Sequence, residues 1–446
     1  MSYWHHYRAT LVLGLPLIGS QMAQFAVHVV DTVMLGWYGV EPLAASVLAT
    51  SFFFVIFIMG SGFAFAVMPM VAEAESSGQQ TRVRRVTRMG LWLSVIYAAL
   101  FLPLMIWSGS VLTYLGQDPD LSMLAQEYLR VVGFGLFPAL LIMVLKSYLA
   151  ALERTSFILW VTVLAIPVNA ALNWALIFGN AGLPELGLKG AAVATIIVQI
   201  GSLLVLMLYA ARAQGLRDHA LFQRIWRPDP VAFGEVFRLG WPIGLTNLAE
   251  SAMFSASALI MGLIGTMELA AHGIALQITS AAFMAHIGLS QASTIRVGRA
   301  VGRHDLEGLW RAGMAALVLS MGVVALSMVI FLAMPEPIIA IFLAPDEPAR
   351  LQIVGIGVAL LAVAALFQLV DAGQVMALGM LRGIQDTKVP MYMAAVSYWV
   401  LGVPASYVLG VALGFDGVGV WLGLVIGLLA ACILLWWRFL VLYRRM

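Results

Sequence analysis

Charge is what this sequence has least of. Lysine, arginine, aspartate and glutamate make up 10% of its 446 residues, against about 25% in soluble domains, which excludes an ordinary water-soluble globule. The formal net charge of +2 gives no sign of a nucleic-acid partner, and none is expected. Cysteine occurs once, as Cys432 inside an apolar run, so no internal disulfide can form. HExxH, Walker A, GxSxG and clustered cysteines are all missing. No enzymatic reaction and no bound cofactor are therefore expected, and without an ATP-binding domain any active transport must be driven by an ion gradient. A cleaved signal is not expected either. The first apolar run, from Ala9 to about Gly36, is far longer than the ~15-residue limit of a signal's apolar core.

What is present is oil. Hydrophobic residues make up 62% of the chain. Apolar runs and their breaks define twelve candidate spans, near 9–36, 44–72, 89–115, 124–150, 156–179, 188–211, 236–264, 270–295, 310–334, 351–380, 389–413 and 417–439. Each should be helical, because an unpaired backbone amide in lipid costs several kcal/mol. The charges sort with this count. The connections after even-numbered spans, with both termini, collect 20 of the 24 basic residues. By the positive-inside rule that side, and both ends of the chain, are expected in the cytoplasm. The remaining four are Arg130, Lys189, Arg350 and Lys146; Lys146 lies about one turn from a cytoplasmic helix end and reads as snorkelling. Loops such as GWYGVEP, GQDPD and APDEPAR fall on the opposite side.

The chain repeats itself. LGLPLIGSQMAQ at 13–24 lies over LGWPIGLTNLAE at 239–250, an offset of 226 that continues through Gly36/Gly262, Gly39/Gly265 and Gly62/Gly288. Six spans per half return the chain to its starting side, so the halves are parallel. The expected fold is an all-α membrane protein with twelve transmembrane helices in two parallel six-helix repeats around a central cavity. Residues 1–211 would form an N-lobe, the arginine-rich 212–232 a cytoplasmic linker, and 233–446 a C-lobe.

Three acids lie within spans: Asp31, Glu250 and Asp371. A carboxylate near the centre of a span costs about 2.5 kcal/mol or more. Such a group normally faces protein or a wet cavity and binds or relays something. Each of the three belongs to a polar face. Gln21, Gln24, His28 and Asp31 share one on span one, and Gln24 is the repeat counterpart of Glu250. Asn247, Glu250 and Ser257 share one on span seven, and Gln368, Asp371 and Gln374 one on span ten. Asn169 and Asn173 follow Pro167 on span five, where they can bond between helices, orient Asp31, or do both. Span eight adds Gln277, Thr279, Ser280, His286 and Ser290, and its histidines, His272 and His286, read as packed or interfacial. An aspartyl dyad of Asp31 and Asp371 is disfavoured because the two lie on different halves at different depths.

In order along the chain, VDTVMLGWYG (30–39), VNAALNW (168–174), WPIGLTNLAES (241–251), ELAAHGIALQI (268–278), IRVGRAVG (295–302) and VDAGQVMALGMLRGIQDT (370–387) resemble the multidrug and toxic compound extrusion (MATE) transporters. The likeness runs over essentially the whole chain. A glutamate in span seven with an aspartate in span ten is similar to the NorM-like branch. The resemblance implies a multi-pass antiporter of the bacterial inner membrane that exports cationic and amphipathic drugs against inward protons or sodium ions, by alternating access and as a monomer. It carries cation-coupling roles to Glu250 and Asp371, which would be the metal ligands if the ion is sodium, and an N-lobe role to Asp31 with Asn173. Gln24, His28, Asn169, Asn247, Gln277, Phe367, Gln368 and Gln374 would be cavity and supporting groups. Phe367 stands where many relatives carry a tyrosine, so a hydroxyl ligand for sodium is lost. Two other functions stay open: a flippase for a lipid-linked precursor, for which Lys146 is the one buried basic candidate, and a passive channel.

Overall fold

The computed structural model of the chain describes residues 3–345 and 347–446, so Asp346 of the APDEPAR loop lies outside the described residues. Among the described residues, twelve helices are long and apolar enough to cross a membrane: α1 (Tyr3–Tyr38), α2 (Val40–Ser76), α3 (Gln80–Ile106), α4 (Pro119–Ala151), α5 (Thr155–Ile177), α6 (Leu188–Arg212), α7 (Pro230–Ile264), α8 (Thr266–Gly302), α9 (Leu306–Ala333), α10 (Arg350–Gly383), α11 (Lys388–Ala412) and α12 (Asp416–Tyr443). No strand occurs among the described residues. The protein is an all-α, multi-pass membrane protein.

Several helices start earlier than their apolar runs. The run read as span three begins at 89, but α3 begins at Gln80, so Arg82, Arg84, Arg85 and Arg88 stand on helix rather than in a loop. Arginine is a good helix former, and a helix leaving the membrane keeps its hydrogen bonds in water. Some helix starts are capped by a side chain. Asp118 accepts from the amides of Asp120 and Leu121, both at 3.0 Å, with Pro119 at the first helical position. Asp229 does the same before Pro230, accepting from Ala232 N at 3.1 Å. Span three also ends sooner than its apolar run, at Ile106, and a short helix, Ser108–Tyr114, follows it. Two helices are irregular. A single 3₁₀ turn at Gly133–Gly135 interrupts α4, and α11 contains π-helical turns at Ser397–Gly402 and Val408–Ala412 on either side of Pro404.

The chain divides into two compact units, residues 19–244 and residues 1–18 with 245–446. In the first, α2 packs on α3 and α4, and α4 and α5 pack on α6. Its α2 and the start of α7 meet backbone to backbone. A Cβ at Gly244 would stand 2.3 Å from Met59 O, and one at Gly62 would stand 2.4 Å from Gly240 O. Only glycine permits that approach. Polar contacts hold residues 212–229 to this unit. Arg88 donates to Arg224 O at 2.9 Å, Trp92 to Ile225 O at 2.7 Å, and Arg85 pairs with Asp229. The hydrogen bond from Arg85 holds the Asp229 carboxyl below its ordinary pKa.

In the second unit α10 is central, packed on α8, α9 and α12. Small residues let α8 come close, and side chains lock the pair. Ser290 Oγ donates to Val375 O at 2.9 Å, and Thr294 Oγ1 to Gly379 O at 2.8 Å. The opening turns of α1 join this unit through Arg296 of α8, which donates to His6 O at 2.6 Å.

Candidate functional site

In residues 19–244 the polar centre is Asp31. Asn169 and Asn173, one turn apart on α5, are fully buried, and each donates its Nδ2 to Asp31 Oδ1 at 2.6 Å. Among the described residues the Oδ1 atoms of both asparagines are buried without a hydrogen-bond partner. Thr195 of α6 and Tyr128 of α4 lie close enough to act on the same carboxyl. Neither was visible from the sequence: Thr195 is a lone hydroxyl in an apolar run, and Tyr128 lies beside Glu127 with nothing to link it to Asp31. Gln24 and His28, which share a helical face with Asp31, are exposed on the surface of the unit.

In the other unit the acids of α7 and α10 come together. Asp371 is 1% exposed, and among the described residues its Oδ1 has no hydrogen-bond partner. It lies within electrostatic reach of Glu250. Gln374, one turn beyond Asp371 and fully buried, donates Nε2 to Glu250 Oε1 at 3.1 Å. Its own oxygen, Oε1, accepts from the Tyr398 hydroxyl at 2.7 Å. One turn before Glu250, Asn247 Oδ1 accepts from Arg382 at 2.8 Å. Tyr398 and Arg382 were not singled out by sequence reasoning. The first sits unmarked in the apolar SYWVLG, and the second is one of many arginines in the connections after even-numbered spans.

Around this centre both buried histidines of α8 are hydrogen-bonded. Gln368 accepts from His286 Nε2 at 3.2 Å and donates to Thr279 O at 3.2 Å, and His286 Nδ1 meets Ser320 Oγ at 2.8 Å. Trp421 Nε1 donates to His272 Nδ1 at 3.0 Å, so that nitrogen is an acceptor and the ring carries its proton on Nε2, facing Ser257 Oγ at 3.3 Å. Phe367 is buried edge-on against Trp421 and Phe254, with ring centroids at 5.3 and 6.0 Å. Gln277 is exposed and takes no part. A cavity of about 660 Å³ opens elsewhere, lined by Gln79, Arg82, Arg85, Val231 and Glu235 at the ends of α3 and α7.

A buried acid with an unpartnered oxygen, as Asp371 has, is suited to take up positive charge. No group of three or more histidine, cysteine or acidic residues that could hold a metal ion occurs among the described residues.

The chain was compared with known proteins. The MatE family model matches residues 16–175 and 242–408, two segments that begin 226 residues apart, the offset of the internal repeat. A relative from Rhizobium meliloti (strain 1021), named probable multidrug resistance protein NorM, is 46% identical over 99% of this chain and 94% of its own length. A relative of the same name from Agrobacterium fabrum (strain C58) is 44% identical over 100% of this chain and 96% of its own. A solved structure described as the outward-facing conformation of a multidrug resistance MATE family transporter shares the fold at a TM-score of 0.88, with 21% identity, covering 99% of this chain and 96% of that one. The chain belongs to the MatE family of multidrug and toxic compound extrusion transporters.

Proposed function

We propose that this protein exports cationic and amphipathic drugs across the bacterial inner membrane in exchange for protons, by alternating access. One observation carries the reading: a buried Asp371 carboxyl, short of one partner, lies beside Glu250 in a twelve-span chain. Relatives named as multidrug resistance proteins support drugs as the cargo. Two carboxyls in low dielectric cannot both stay ionised without positive charge close by. A proton supplies that charge, and so does a lipophilic cation. The two compete for one electrostatic well. A cargo that binds the outward- and inward-open states differently shifts their populations, and the exchange follows. Glu250 and Asp371 are the coupling pair, and Asp31 is a second protonatable group, held by Asn169 and Asn173. Both termini face the cytoplasm, and a monomer is sufficient.

A proton suits this pair better than sodium. Glu250 and Asp371 would hold a sodium ion, but a hard cation needs a shell of oxygens. Gln374 turns an N–H toward Glu250, and Phe367 brings no hydroxyl. The test is ethidium counterflow in proteoliposomes, run with a pH gradient alone and with a sodium gradient alone. Ethidium addition should release protons and should move no sodium. Export driven only by sodium would overturn the choice of ion, and ethidium-independent current would favour a channel.

A further inference from the structure

Tyr398 lies in the first π-helical turn of α11, Ser397–Gly402. Single π turns recur at functional sites, where the widened helix moves one side chain out of the regular register. Here the turn is pressed against α12. The closest approach is glycine on glycine, with a Cβ at Gly427 meeting Gly402 Cα at 2.7 Å. Tyr398 is fully buried, and its hydroxyl donates to Gln374 Oε1 at 2.7 Å. A phenol donates more strongly than it accepts. With the amide oxygen taken, the other end of Gln374 is committed, and its N–H faces Glu250 at 3.1 Å.

We propose that Tyr398 is a specificity-determining residue: by holding the Gln374 oxygen, it keeps an N–H rather than an oxygen facing Glu250 and so excludes sodium from the carboxyl pair. The inference rests on the proton-coupled reading above. An N–H stabilises the empty, anionic carboxylate and repels a metal cation. The same amide turned over would add a neutral oxygen to the oxygens of Glu250 and Asp371, which is the ligand type a hard cation takes. Tyr398 never touches the cargo in this scheme and acts only through the amide.

The charged and titratable groups around the pair do not supply the same exclusion. Arg382 of α10 acts on Glu250 electrostatically but spends a hydrogen bond on Asn247. Cys432 of α12 stands against Gly373 and Asp371. His272 and His286 of α8 are engaged by Trp421 and Ser257, and by Ser320 and Gln368. Gln374 is the amide that meets Glu250, and Tyr398 sets its direction.

The experiment is ethidium export by proteoliposomes under a fixed pH gradient, with equal sodium titrated on both sides. Wild-type export should be flat. Export by Tyr398→Phe, which keeps the ring, should fall at sodium concentrations at least about tenfold below any that affect the wild type, the factor carried by ~1.4 kcal/mol of added cation affinity. Sodium should raise the KM for ethidium and leave the maximal rate unchanged, a split that a merely loosened helix would not produce. Tyr398→Phe combined with Gln374→Leu should lose the sodium response, because the freed oxygen is gone. If Tyr398→Phe does not accumulate in the membrane, Tyr398→Leu tests the same loss of hydroxyl. A pH-driven hydroxyl-less variant as indifferent to sodium as the wild type would overturn the role of Tyr398 alone. A wild type driven by sodium and idle under a pH gradient would overturn the underlying reading as well.

Discussion

The two units hold their acids in opposite ways. Asp31 stands alone and receives two amide N–H groups from one helix, both on the same oxygen. Glu250 and Asp371 stand together; Gln374 donates its amide to Glu250, and among the described residues Asp371 Oδ1 has no donor. Donors make a buried anion tolerable, whereas a second carboxyl makes it worse. On the function proposed above, Asp31 is provided for by its own unit, and the Glu250–Asp371 pair is the one that takes up a cation, Arg382 acting on Glu250 alone. On that proposal, the sequence repeated at an offset of 226 residues carries a holding site in one half and a loading site in the other.

Substitutions can break that comparison, and the largest effect belongs to the loading site. Glu250→Gln and Asp371→Asn should each reduce gradient-driven ethidium export in proteoliposomes to the level of empty vesicles, with little change in thermal stability, because each removes an unfavourable charge. Asp31→Asn should cost less, about three- to tenfold in export rate, since it deletes a charge already satisfied by hydrogen bonds. Asn173→Leu leaves Asp31 with a single amide and should lower stability by about 0.6 to 2 kcal/mol, the range for a hydrogen bond between membrane helices. Equal losses for Asp31→Asn and Asp371→Asn would erase the distinction.

The smallest effect tests the clamp between Arg85 and Asp229 at the start of α7. Arg85 depresses the Asp229 pKa, so the pair stabilises the fold above the unfolded value, and this contribution disappears as pH falls through the folded one. Asn caps a helix about as well as Asp, so Asp229→Asn isolates the ion pair. It should cost about 0.2–1 kcal/mol at neutral pH. The difference in melting temperature from the wild type should close below about pH 4. A gap that persists in acid would assign the effect to the cap.

Much of this could be read from the chain before any coordinates. The twelve spans follow from apolar runs, because lipid leaves the backbone only helix. Their ends do not, since Gln80–Arg88 is polar and still helical. Helical spacing correctly groups residues by face, but it cannot say what the face meets. Gln24 and His28 share a stripe with Asp31 and remain exposed, whereas Asn169 and Asn173, distant in sequence, reach it. Tyr398 was hidden for a further reason. Its position depends on a π turn just before Pro404, and no regular period reports such a turn.

The proposed antiport requires the acid pair to exchange a proton for the drug. The direct measurement is proton release from proteoliposomes on addition of ethidium, with wild type and Glu250→Gln side by side. Wild type should release protons in proportion to the ethidium bound, and Glu250→Gln should release none. Equal release from the two proteins, or ethidium export with no proton movement in either, would contradict it.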